Sequence, residues 1–411
     1  MSAGNLKNPM KRNFRKKVLK NGLTVLFEKR DLPIVSVAIA VKNGSINESV
    51  SEKGIAHFIE HMLYKGTSTR NAMQIAEEIE KNGGDLNGFT SETTTAYWCK
   101  MPSNHLDVAL GVLSDMIKNP LFDEKEVEKE RKVIFEEIKM YHDNPRSHAF
   151  QEIQKNLFSG TMAMSGLGTR ETMSKISRDE LIKRFEDIYA PNNIVVVVVG
   201  NAVFEDVVDF AKKNFGEKKG KASKKYGFRT KNSLRIERRK GIDQANLVFA
   251  YHVPLLKNKK SYAARALSTL MTEGMSSRLF EEVRRKRNLA YSINGSSDIT
   301  NEFAFTYIYV GTTKDAVDKV RKVILKEFND VAERLTEDEL KQVKEQIIGN
   351  HRISMEDSQS QMVNLLYAEA CGDAKMFYDF EKNISKVKLA DVKALAKKAA
   401  KEHGFFALVP E

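Results

Sequence analysis

Two cysteines, Cys99 and Cys371, are all that the 411 residues carry, and they stand far apart in unrelated surroundings. A disulfide framework and a cysteine-built zinc site are therefore excluded within one chain, so any metal has to be held by histidine and carboxylate. Apolar runs are short as well, none approaching the roughly 18 residues of a membrane span. The N-terminus, MSAGNLKNPMKRNFRKKVLK, lacks the apolar stretch of a secretory signal. It is basic, with no acid before Glu28, but without the amphipathic Arg/Ser pattern of an organelle-targeting peptide. Residues 1–14 accordingly read as a short leader on a cytoplasmic protein. Lysine and arginine outnumber the acids by 67 to 55, a net charge of +12. They are spread through lysine-rich helices with no cluster interleaved with aromatics, which argues against a nucleic-acid partner and leaves a bias toward acidic peptides open.

What is present points to two or three domains, at about 100–200 residues per domain. LTVLFEK (23–29) and IVSVAIAVKNG (34–44) alternate as strands do, the second ending in the turn signal Asn43-Gly44. Helical periodicity follows at 69–82, 104–118, 123–142 and 178–188, then a buried strand, IVVVVVG, at 194–200. The lysine, glycine and serine content of 216–233 predicts an exposed linker between a first domain over 15–215 and a second over 234–411. The halves share an order of elements, the mark of a duplication. ANLVFAYHVP (245–254) takes the place of the second strand, and LTEDELKQVKEQ (335–346) that of LFDEKEVEKERK (121–132).

The first half alone contains AHFIEHMLYKGT (56–67). On a helix, His57, Glu60 and His61 fall within an arc of about 100°, so the three side chains converge. Two imidazoles at i and i+4 suit zinc, which takes three protein ligands in a catalytic site and keeps one position for water. Such a pentapeptide also occurs by chance, and a plain helix is the competing reading. A third ligand is available in EVEKERKVIFEEIKMYHD (126–143), where Val127, Ile134, Ile138 and Tyr141 form an apolar stripe with Glu130 and Glu137 at its edge. Glu136 points the other way, among Lys129, Lys132 and Met140. A carboxylate on a buried stripe needs a cation, so Glu137 is the predicted ligand and Glu130 the group that orients a histidine. The remaining histidines, His105, His142, His148, His252, His351 and His403, are expected at the surface. The corresponding stretch of the second half, 263–279, has no histidine.

His-x-x-Glu-His is the inverzincin order, and the surrounding residues resemble the zinc peptidases of the pitrilysin, insulin-degrading enzyme and mitochondrial processing peptidase family. GIAHFIEHMLYKGT (54–67) is similar to that family's active-site helix, NGGDLNGFTSETTTAYW (82–98) to its substrate-strand segment, and ERKVIFEEIKMY (130–141) to the helix bearing its last ligand. The family's final glutamate follows the second histidine by 76 residues, which here is Glu137 (61 + 76). In the second half LFEEVRRKRNLAYSINGSS (279–297) resembles the segment with an arginine and a tyrosine seven apart, Arg284 and Tyr291. Gly88 and Asn288 depart from the family's usual alanine and glycine. Gly88 is expected to add backbone freedom, and Asn288 to adopt the left-handed conformation or mark a different backbone.

The resemblance implies an α+β fold of two homologous domains, each a mainly antiparallel sheet flanked by helices, with one zinc ion per chain in the first and none in the second. It implies a zinc endopeptidase acting on peptides or unfolded segments inside a dimeric chamber, most simply a homodimer, otherwise a heterodimer with a paralogue. His57, His61 and Glu137 would bind zinc and Glu60 would act as general base. Tyr291 would stabilise the oxyanion and Arg284 hold a substrate carbonyl. The peptide would dock by strand addition along 90–98, flanked by Asn87 and Phe89. A non-catalytic structural or regulatory subunit is the alternative, which an eroded motif would have favoured.

Overall fold

The β-branched runs fold as strands where their alternation places them, IVVVVVG becoming a strand buried along its whole length. The computed structural model describes residues 13–217 and 219–411. Residues 1–12, most of the expected leader, lie outside the described residues. In chain order the strands are β1 (Phe14–Val18), β2 (Thr24–Lys29), β3 (Ile34–Val41), β4 (Asp85–Thr90), β5 (Thr95–Pro102), β6 (Phe158–Gly160), β7 (Ile194–Gly200), β8 (Phe228–Thr230), β9 (Leu234–Arg239), β10 (Ala245–His252), β11 (Ala290–Ile299), β12 (Ala304–Thr312) and β13 (Gly404–Pro410). The first helices are α1 (Ile55–Leu63), α2 (Ala72–Glu80), α3 (Leu106–Lys118), α4 (Glu124–Asp143) and α5 (Pro145–Leu157).

The chain forms two α+β units. One comprises the described residues up to Ile138 with 165–226 and 354–378, the other 139–164, 227–353 and 379–411. The first has a six-stranded sheet in the order β1-β2-β7-β3-β5-β4, the second a five-stranded sheet in the order β11-β12-β10-β13-β9. Apart from β1, which has no counterpart in the second sheet, the pairings match strand for strand. β2 runs parallel to β7 as β9 does to β13, and the remaining neighbours in both sheets are antiparallel. β4 and β11 are the corresponding edges.

Each sheet is covered on both faces, and for each the second cover comes from the other half of the sequence. In the first unit Val25, Val37, Ile39 and Val196 share one core with Phe58 and Ile59 of α1. On the opposite face the helix Ser358–Ala370 sets Met362, Leu365 and Leu366 against Leu26, Ala38, Ala40 and Val197. Alanines on β3 leave room for that helix. A polar clamp fixes it, since Glu28 is 4% exposed and accepts hydrogen bonds from Gln361 Nε2 at 2.7 Å and from the Tyr378 hydroxyl. In the second unit α5 packs on β10 and β13. Exchanging these helices joins segments distant in sequence, so each unit is discontinuous.

Other details depart from the sequence expectations. Within 216–233, Gly220 N donates to Asn192 Oδ1 at 2.8 Å, Lys221 N to Asp187 O at 2.7 Å and Ser223 Oγ to Lys42 O at 2.6 Å. This stretch is exposed but tied to the first unit up to Tyr226. Tyr141, placed in the apolar stripe of α4, is 36% exposed, because it lies beyond the turns that face the core. His148 is buried rather than at the surface, its Nε2 3.0 Å from Glu237 Oε1. Among the described residues no helix is long and apolar enough to cross a membrane.

Candidate metal centre

Helix α1 begins where Gly54 adopts φ +97°, and a Cβ there would lie 2.7 Å from the Leu167 carbonyl oxygen, so glycine meets both a conformational and a spatial demand. Its first N–H groups are answered from within the protein. Gly54 N and Ala56 N donate to the two carboxylate oxygens of the fully buried Glu48, at 3.0 and 2.8 Å. Burial pushes the Glu48 carboxyl up to about 7, against the pull of Lys53 and of those two N–H groups. A carboxylate at the positive end of the helix dipole fixes the helix that carries the histidines.

His57 Nε2 and His61 Nε2 are 3.2 Å apart, and Glu137 Oε2 lies 3.4 Å from the first and 3.6 Å from the second. Ligands held tetrahedrally at about 2.0–2.2 Å from an ion stand about 3.4 Å from one another. The triangle therefore has the size and the N,N,O donor set of three zinc ligands, and it is the group of His, Cys, Asp and Glu side chains able to hold a metal among the described residues. Glu130 Oε2 lies 3.0 Å from His61 Nδ1, so a proton kept at Nδ1 leaves the Nε2 lone pair aimed into the triangle. Lys65 Nζ reaches the other oxygen, Oε1, at 2.7 Å. Burial opposes the charge on Glu130, yet His61 and Lys65 hold its carboxyl below the ordinary value. Glu136 is exposed, as its helical face predicts.

Without a metal the two imidazoles divide in character. Burial works against the His61 cation, but the hydrogen bonds of Glu130 and Glu137 outweigh it and raise His61 to about 9. Burial and the neighbouring His61 charge push His57 down to about 4. Nδ1 of His57 is buried without a hydrogen-bond partner.

Glu60 stands beside the triangle and outside it. Its Oε2 accepts from the Thr90 hydroxyl at 2.7 Å, and burial raises its pKa despite that bond. Thr90 is on β4, which has no strand on its outer side among the described residues. The expected docking stretch 90–98 needs correction here, because β5 is paired on both sides, with β3 and with β4. Of this hairpin, β4 (85–90) is the strand at the sheet edge among the described residues. Along β4 the side chains alternate. Phe89 packs on the sheet face that carries Ala38 and Ala96, and Asn87 shares its parity, whereas Gly88 and Thr90 face Glu60.

Arg284 and Tyr291 belong to the second unit. Arg284 is exposed within a π-helical turn, Phe280–Arg285, its guanidinium 4.9 Å from the Phe280 ring centroid. Asn288 takes the left-handed conformation, φ +50°, one of the two outcomes the sequence allowed. Tyr291 is the extra residue of a β-bulge between Ala290 and Ser292, and it is 43% exposed. Its ring lies over Gly311, where a Cβ would come within 2.5 Å of the phenol oxygen. Bulges re-aim side chains, and this one turns Tyr291 across its neighbouring strand.

Sequence reasoning missed Lys65 and Thr90. Lys65 follows His61 at i+4, so helix spacing carried its signal. Thr90 lies 30 residues from Glu60 and required the sheet.

The family described as Insulinase (Peptidase family M16) matches residues 24–170, and that described as Peptidase M16 inactive domain matches 175–347. A Bacillus subtilis protein named uncharacterized zinc protease YmxG is 32% identical over 95% of this chain and 96% of its own. In fold, a protease from Helicobacter pylori superposes with a TM-score of 0.89 at 22% identity, covering 97% of this chain and 99% of that one. A chain of Complex III2 from Candida albicans does so at 0.82 and 17%, covering 96% and 95%. Taken with the curated relative, the two matched regions show that the chain belongs to the M16 (insulinase) peptidase family.

Proposed function

We propose that the protein is a zinc endopeptidase that hydrolyses peptides or extended segments of unfolded protein. The observation that carries this is the His57, His61 and Glu137 triangle with a half-buried carboxylate, Glu60, beside and outside it. When bound, zinc supplies a Lewis acid and acidifies a water from about 15.7 toward 7. The chain's own residues do the rest. Glu130 holds the His61 tautomer and Thr90 orients the Glu60 carboxylate. Glu60 takes a proton from the attacking water as the C–O bond forms, and delivers it to the amine nitrogen as the C–N bond breaks. Substrate adds as a strand along the outer edge of β4, where backbone groups of 85–90 supply hydrogen bonds. Asn87 and Phe89 flank the cleaved bond from the sheet face turned away from Glu60.

Arg284 and Tyr291 complete the reading. The phenol donates to the developing oxyanion and the guanidinium to a substrate carbonyl. A two-domain chain needs a second copy, or a paralogue, to close a chamber around the peptide.

The match to Complex III2 and the family description of an inactive domain favour a second reading, a non-catalytic subunit. The test is zinc content by elemental analysis together with cleavage of a quenched fluorescent peptide. One zinc per chain, with cleavage abolished by chelator and restored by zinc, supports the enzyme. A metal-free protein that cleaves nothing after zinc is added supports the subunit.

A further inference from the structure

Tyr64 follows Glu60 at i+4, so the two side chains lie on one face of α1 and its C-terminal cap. The Tyr64 hydroxyl is buried and has no hydrogen-bond partner. Its ring packs against that of the fully buried Tyr97, centroids 5.9 Å apart, and the Tyr97 hydroxyl is itself held 2.9 Å from that of Tyr189. The hydroxyl of Tyr64 thus points toward β4, at Gly88.

A Cβ on Gly88 would overlap the Tyr64 hydroxyl oxygen, and would lie 2.9 Å from the Ala96 carbonyl oxygen and 3.3 Å from Glu60 Oε1. Gly88 sits in regular pairing opposite Tyr97, outside the left-handed region. The glycine therefore supplies space rather than the backbone freedom expected from sequence. The space is shared by one unpartnered donor and by the Glu60 oxygen that Thr90 does not use.

We propose that Tyr64 is a positioning residue for Glu60, its hydroxyl, unpartnered in the resting protein, turning to donate to Oε1 during turnover where the Thr90 hydroxyl already donates to Oε2, and that Gly88 provides the room this arrangement requires. The proposal rests on the reading of Glu60 as general base. An ionised carboxylate has about four lone-pair sites on its two oxygens, so two protein donors leave room for the water whose proton Glu60 accepts. Burial and the nearby Glu60 charge raise the pKa of the phenol, so it remains a donor. Held from both sides, the carboxylate cannot swing toward the metal triangle and become a fourth ligand.

The test is a cycle of Tyr64→Phe, Gly88→Ala and the double variant, read by melting temperature, zinc content, kcat and KM. Tyr64→Phe removes one oxygen that makes no bond in the resting protein, so melting temperature, zinc content and KM should hold while kcat falls about 10-fold, the worth of a hydrogen bond to a charged group that forms only during turnover. Gly88→Ala should melt lower, and its loss should be smaller when combined with Tyr64→Phe, the remainder being due to the Ala96 carbonyl; kcat should stay low in the double variant. An unchanged kcat in Tyr64→Phe, or an alanine penalty equal with and without the tyrosine hydroxyl, would overturn the proposal. If the wild type cleaves no peptide, the enzymatic reading fails and the positioning role with it, while the melting cycle still decides whether tyrosine and glycine are paired.

Discussion

Nδ1 of His61 is held 3.0 Å from Oε2 of Glu130, and this contact decides which of the acids on α4 do which work. Glu130 and Glu137 are separated by seven residues, two helical turns, and so reach the two ring nitrogens of one histidine from the same face of α4. Glu137→Gln should lose zinc severely. Glu130→Gln should lose about 10–100-fold in zinc affinity, the usual effect of removing the partner of a ligand histidine. Glu136→Gln should lose almost none. Competition with a chromogenic chelator measures all three, and a site emptied by Glu136→Gln would contradict the geometry.

The metal-free protein should be pH-sensitive in both directions. His57, lowered to about 4, binds fewer protons folded than unfolded, so stability rises with pH between 4 and 6.5. His61, raised to about 9, binds more protons folded than unfolded. Its contribution is complete below 6.5 and is lost as pH climbs through 9, on the order of 3 kcal/mol. Chelator-treated protein should therefore melt highest near pH 6.5. Zinc-loaded protein should not show the alkaline loss, since its imidazoles hold no proton on Nε2. Melting curves at pH 5, 6.5, 8 and 9 with and without zinc check this, and parallel curves would refute it.

Arg284 and Tyr291 are predicted to serve a partner's centre. His57→Ala and Tyr291→Phe proteins, each inactive, can be mixed and allowed to exchange subunits. A mixed dimer regains one complete site, and random exchange makes about half the dimers mixed, so activity should return to roughly a quarter of wild type. No recovery, with exchange verified by a mass tag, would place the tyrosine in its own chain's centre or outside catalysis.

The centre was legible where the signal is local and periodic. His57, Glu60 and His61 share one turn of helix, and the 3.6-residue period separates Glu137 from Glu136 without any structure. The strands at 24–29, 34–41 and 194–200 lie within one residue or a few of their apolar runs, because hydrophobic alternation sets them. What was not legible depends on pairing across the chain. The buried state of His148 comes from Glu237, 89 residues away. The cover supplied by Ser358–Ala370 depends on Glu28 and on the alanines of β3, and nothing in its own sequence names them. Strand order was hidden for the same reason. Sequence alone puts the docking edge at 90–98, and only the sheet shows β5 enclosed between β3 and β4.

Glu60→Gln is the measurement closest to the central claim. The amide keeps the size of the side chain and can still accept from Thr90, while losing the ability to take a proton. Elemental analysis of the purified variant should find as much zinc as in wild type, and its melting temperature should be unchanged. Cleavage of the quenched peptide should fall by about 10²–10⁴-fold, the contribution of a general base. A variant that keeps its zinc and cleaves at the wild-type rate would contradict the account.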